Sequence, residues 1–146
     1  MIAPRGPFYE MPETPRPDLL SLRSLTPLQG HVSAIHASAF FHLFDEEKQL
    51  EMARQLATLL SPVPGSVIFG SHGALPYKGK RREVLPGPTA IMFCHSPQSW
   101  QELWDGQIFS KGTVRVDVDL KGGDRSDLGL DATNPFYLLT WSVTRL

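Results

Sequence analysis

A chain of 146 residues, 41% hydrophobic and 20% charged, has the size and composition of a single globular domain able to bury a real core. A formal net charge of -1 argues against a phosphate-binding surface, so nucleic acid is not an expected partner. Cys94 stands alone, which excludes an internal disulfide. No apolar run reaches the roughly 20 residues of a membrane span, and the opening MIAPRGPFYEM lacks the apolar stretch of a secretory signal, so the expected location is cytoplasmic with no membrane partner.

Residues 1–17 carry Pro4, Pro7, Pro12, Pro15 and Pro17 and read as an irregular, proline-rich arm, leaving 18–146 as one domain. Asp18 can cap a short helix over DLLSLRSL, closed by Pro27 and Gly30. Val32 to His36 is short and mostly apolar and fits a buried strand, with His36-Ala37-Ser38 as the turn at its carboxyl end. Asp45 is a good N-cap, with Glu46 and Glu47 in the first turn where the helix dipole favours negative charge. Leu50, Ala53, Leu56, Ala57 and Leu60 then recur at helical spacing, and Pro62, Pro64 and Gly65 end the helix. Ser66 to Phe69 reads as a second buried strand. Two short strands around an amphipathic helix make a right-handed βαβ unit with parallel strands. Ligands of such sheets sit at the carboxyl ends of the strands.

Residues 70–95 read as a long loop punctuated by Gly and Pro, a lid or binding loop by length, with a short strand near Ala90–Phe93. Ser96 and Pro97 open a second helix whose buried stripe is Trp100, Leu103 and Trp104. Thr113–Leu120 alternates apolar and polar residues, as does Phe136–Thr144, and the two are expected to close the sheet as an antiparallel pair. The fold class is therefore α/β with a mixed sheet.

Candidate chemistry is sparse. His31, His36 and His42 lack metal-ligand spacing and carboxylate or cysteine partners, so no metal site is expected. Asp117 and Asp119 share the solvent face of a strand. Lys78, Lys80, Arg81 and Arg82 read as a solvated loop, or as part of a lid over an acceptor. His36, Ala37 and Ser38 stand at a strand end, as ligand contacts or as a plain turn. His42 is a candidate general base or orienting group, or else a packed histidine.

The stretch VSAIHASAFFHLF, the acid-started helix, and the turn Leu60-Ser61-Pro62-Val63-Pro64-Gly65 before SVIFG carry a family resemblance. With the SPQSWQELW helix and two closing strands, residues 20–146 resemble the C-terminal half of a class I S-adenosylmethionine-dependent methyltransferase. They are most similar to fungal enzymes acting on secondary metabolites. The aromatic-histidine pattern after the first strand is Phe41-His42-Leu43. The resemblance implies a partial Rossmann-like sheet and S-adenosylmethionine as cofactor, touched by His36, Ala37 and Ser38. It also implies a small-molecule acceptor near Phe41 and His72, with His42 as the catalytic candidate.

The family's Gly-rich cofactor turn has no counterpart here: no two glycines stand at i, i+2. About 30 residues precede the first strand, too few for three βα units, so the expectation is that the N-terminal cofactor half is missing. That strand's outer edge is then left open. A rival reading follows, in which the chain is a truncated, non-catalytic association module. Its open edge would be covered by a second copy, a partner chain or the proline-rich arm.

Overall fold

The computed structural model describes residues 5–83, 90–123 and 135–146. Its elements in order are β1 (Ala34–His36), α1 (Glu46–Leu59), β2 (Val67–Gly73), β3 (Gly79–Glu83), β4 (Ala90–Cys94), α2 (Pro97–Trp104), β5 (Val114–Gly123) and β6 (Phe136–Arg145). The main sheet runs β1-β2-β6-β5. β1 and β2 are parallel, β6 is antiparallel to β2, and β5 is antiparallel to β6. Three strands therefore run one way and β6 alone is reversed. The expected parallel βαβ unit and antiparallel closing pair are both present. Among the described residues nothing pairs with the outer edge of β1.

Local chemistry accounts for both helices. Asp45 accepts from the Lys48 N–H at 2.9 Å, and Glu46 and Glu47 occupy the first turn of α1. α2 starts with a capping box in which the Ser96 and Ser99 side chains each bond the other's backbone N–H, with proline at its start. Strand alternation sorts the sheet faces: Val114, Leu139, Trp141 and Val143 are buried, while Arg115, Asp117 and Asp119 are out in solvent. Asp117 pairs with Arg115 at 2.9 Å and Asp119 with Lys121 at 3.1 Å, so these carboxylates belong to a solvated face.

The core is dominated by aromatic rings. Trp100, Trp104 and Phe41 are fully buried against Ile68, Leu139 and Val143. Phe41 meets Trp100 edge to face with centroids 4.9 Å apart, and Trp100 meets Trp141 at 5.0 Å. Such geometry adds about 0.5–1.5 kcal/mol per pair to area burial.

Three expectations need correction. The helix expected after Asp18 is only a 3₁₀ turn, Leu19–Ser21, followed by a second over Thr26–Leu28. Leu20 is 97% exposed and the turn buries nothing, so no packing stabilises a longer helix. The 70–95 segment is not a bare loop. β2 continues to Gly73 because β6 pairs with it over its whole length, and β3 and β4 form a separate antiparallel hairpin. Arg81 is not solvated: it is 3% exposed, with its guanidinium 5.3 Å from the Phe136 ring centroid. Residues 84–89 and 124–134, read as loop, lie outside the described residues.

The proline-rich arm crosses the amino ends of β1 and β2. Arg145, 5% exposed, holds it: its Nη2 donates to Phe8 O at 2.9 Å, and its charge lies 5.0 Å from the Tyr9 and Phe109 ring centroids. The Tyr9 hydroxyl accepts from the Ser110 N–H at 2.7 Å, and a Cβ at Gly30 would strike Pro12. The arm thus covers an end of the sheet, while the outer edge of β1 stays exposed at Ala34 and His36.

Candidate functional site

At the carboxyl end of β1 the chain turns immediately over β2. Ala37 N–H donates to Phe69 O at 2.9 Å, and Ala39 N–H to Ser71 O at 2.7 Å. The turn lies so close to β2 that a Cβ at Gly70 would run into the Ala37 carbonyl, which is why glycine stands there. Ala39 adopts a left-handed φ of 51°, a conformation costing a non-glycine residue about 1–2 kcal/mol. Such strain persists only where the surroundings over-determine it. Here the fixing bonds come from side chains as well as backbone. The Ser38 hydroxyl accepts from the Ser71 N–H at 3.1 Å and lies 2.8 Å from His36 Nε2. The His36 ring stacks on Phe69 with centroids 5.0 Å apart.

This turn, with Phe40 and the flank of α1, bounds an open pocket of about 270 Å³ lined by His36, Ala37, Ser38, Phe40 and Leu56. All three residues expected at the cofactor are in it. The volume falls below the roughly 300–1,000 Å³ usual for a small-molecule site. It lies beside the outer edge of β1. A larger concavity of about 870 Å³ lies under the arm, between residues 5–17 and 26–29, and its lining contains no histidine or cysteine.

His42 stands one strand further on, in the 3₁₀ turn Phe41–Leu43, where its Nδ1 accepts from the Gly73 N–H at 3.3 Å. With Nδ1 accepting, the neutral imidazole carries its proton on Nε2. That nitrogen donates rather than accepts. His42 is thus tied through Nδ1 to the end of β2.

Phe41 and His72, expected on the acceptor side, are both buried and neither lines the pocket. His72 Nδ1 accepts from the Trp141 indole at 3.0 Å, and its ring packs edge to face on Trp100 at 4.6 Å. Burial pushes its pKa down to about 3, reinforced by His42 and His95. It is a neutral packing group. His95 is similar: burial lowers its pKa to about 4, Lys78 adds to this and Glu46 opposes it, and Nδ1 lies 2.8 Å from Ser99 Oγ.

Sequence reasoning missed the residues that make the turn work. Phe69, Gly70 and Ser71 meet the turn through the β1–β2 register, which no local pattern encodes. Gln49 was missed too. It is buried, and its amide donates to Phe44 O at 2.9 Å and Phe93 O at 3.1 Å, joining α1 to the hairpin. The one available signal was its place four residues before Ala53 on the buried stripe. Among the described residues no group of three or more His, Cys, Asp or Glu side chains is placed to hold a metal ion, and no helix is long and apolar enough to cross a membrane.

The mixed sheet, with its strand-end pocket, fits a methyltransferase-like fold, and similarity at the level of sequence points to the same class. Several fungal methyltransferases match the chain at 25–34% identity over 61–83% of its length, in line with the C-terminal portion of such an enzyme. Among them, the O-methyltransferase phiE of a fungal species is 33% identical over 89 residues, 61% of this chain and 29% of its own length. The Asnovolin E/Chermesin D methyltransferase nvfJ of Aspergillus novofumigatus is 32% identical over 122 residues, 83% of this chain and 42% of its own. The methyltransferase adrK of Penicillium roqueforti is 27% identical over 124 residues, 83% of this chain and 42% of its own. The chain thus spans less than half the length of the curated relatives it matches. No family model matches it.

Proposed function

We propose that this chain is the acceptor-side portion of an S-adenosylmethionine-dependent methyltransferase acting on a small molecule. The observation that carries the reading is the partial pocket at the end of β1, where His36, Ala37 and Ser38 stand together beside the open strand edge. The polar rim and small Ala37 suit one end of the cofactor, and the volume leaves the rest to a cofactor-binding portion lying along that edge. The sequence contains no Gly-x-Gly turn of its own. When bound, the cofactor supplies an electrophilic methyl group. The chain's residues supply alignment, which is most of what an in-line transfer needs. His42, held through Nδ1 by the Gly73 N–H, stands on the acceptor side, and the β3–β4 hairpin, packed on the 3₁₀ turn that carries His42, flanks it. Phe41 and His72 act from behind, fixing that turn and the end of β2.

The relatives' names speak for an enzyme, and no observation favours the association-module reading. S-adenosylhomocysteine titrated to millimolar concentration into the ¹⁵N-labelled chain tests the proposal. The expected result is weak, saturable perturbation confined to residues 36–40, 56 and 69–73. Perturbation elsewhere, or none, overturns it.

A further inference from the structure

The hydrogen-bond arithmetic at Ser38 bears on the protonation of its neighbour. A serine hydroxyl has one proton to give and two lone pairs. Ser38 Oγ accepts from the Ser71 N–H at 3.1 Å, and the Ser71 hydroxyl lies 3.5 Å away, a long contact in which either hydroxyl can donate. When Ser71 donates in both contacts, the Ser38 proton is left for its third partner, His36 Nε2 at 2.8 Å. An imidazole nitrogen that accepts carries no proton, so in that arrangement neutral His36 has its proton on Nδ1. No hydrogen bond to Nδ1 exists among the described residues, and the ring lines the pocket. The stack on Phe69 and the strained turn at Ala39 keep the ring in place.

We infer that Ser38 is a positioning residue that locks His36 as its Nδ1–H tautomer, so that the pocket rim offers a hydrogen-bond donor to a ligand atom bearing a lone pair. A carboxylate oxygen or an aromatic ring nitrogen satisfies this rim. A group that can only donate, such as an ammonium, is refused there. Ser71 belongs to the same device, because its two donors consume the lone pairs of Ser38. The tautomer stands on the protein's own geometry. Only its use in cofactor selection rests on the function proposed above.

Long-range ¹H–¹⁵N correlation spectra of the histidine rings at pH 8 test it on the chain as it is. In the wild type, Nδ1 of His36 should be the protonated nitrogen, and Ser38→Thr should keep this pattern. Ser38→Ala should lose it, with Nε2 becoming protonated. Wild-type spectra with the proton on Nε2, or an unchanged pattern in Ser38→Ala, overturn the inference. S-adenosylhomocysteine should bind Ser38→Ala about 2- to 10-fold more weakly than wild type or Ser38→Thr, the range of one ordinary hydrogen bond. Equal binding to all three overturns the selective role. Failure of the wild type to bind at all counts against the cofactor reading alone, and the tautomer spectrum still decides the lock.

Discussion

Ser71 and His72 are neighbours on β2 and sit in opposite surroundings. Ser71 points to the open face, where it meets Ser38, itself bonded to the exposed His36. His72 points the other way, into a cluster with Phe41, Trp100 and Trp141. The same alternation separates His36 from Ile35 one strand over, where Ile35 packs on the core. One face supplies stability from rings and the other supplies polar groups held by a few short bonds. A histidine's surroundings here are set by the face it occupies, so His36 lines an open pocket and His72 is part of the packing.

That contrast can be broken from the buried side first. Trp100→Ala should cost about 3–5 kcal/mol in urea denaturation, because it empties the contact point of the ring cluster. A loss below about 1 kcal/mol would mean the cluster is not the main support. Acid should act next. His72 and His95 hold pKa values near 3 and 4, below the ordinary 6.5 of the unfolded chain. The unfolded state therefore binds more protons between those limits. Stability should be constant above about pH 7 and fall below about 6.5 by up to about 1.4 kcal/mol per pH unit for each imidazole. A denaturation midpoint that stays level from pH 7 to pH 5 would contradict their neutral burial.

The junction of the two faces comes third. Gly70→Ala drives a methyl group into the Ala37 carbonyl and should destabilise by about 1–3 kcal/mol while displacing the pocket turn. Amide shifts of residues 37–39 would report the displacement, and a variant with wild-type shifts would show that the strands can part freely. The smallest stability effect belongs to the open face. Ser38→Ala should cost only about 1 kcal/mol by thermal unfolding. A much larger loss would make Ser38 a structural keystone.

The same division explains what could be read before the fold was seen. α1 was legible because Asp45, two glutamates and a helical stripe agree, and α2 because Ser96-Pro97 precedes Trp100, Leu103 and Trp104. Clean alternation made β5 and β6 legible. The rule that ligands sit at strand ends singles out His36, Ala37 and Ser38, and these three line the pocket at the end of β1. Contacts made across the sheet escaped notice. The Ser38–Ser71 bond spans 33 residues and the Gln49–Phe93 bond 44, and neither leaves a periodic trace. His72 was misplaced because Gly70 and Gly73 around it look like a loop, whereas β6 pairing makes them strand. Arg81 looked solvated because its charge signals water, while Phe136 and Met92 draw its guanidinium inward.

The clamp at Arg145 has a kinetic consequence. The bond from its guanidinium to Phe8 O joins residues 137 apart in sequence. Closing so long a segment early would cost conformational entropy with little to offset it. The rings that sandwich Arg145 come from the arm and from the turn after α2, so the clamp exists only once both lie against the end of β6. Docking of the arm is therefore expected late on the folding path, where residue-by-residue mutational kinetics would place the transition-state involvement of Phe8 and Arg145 near zero. Interactions of that kind slow unfolding and leave the folding rate nearly unchanged, which makes the arm a brake on opening of the sheet at the end away from the pocket.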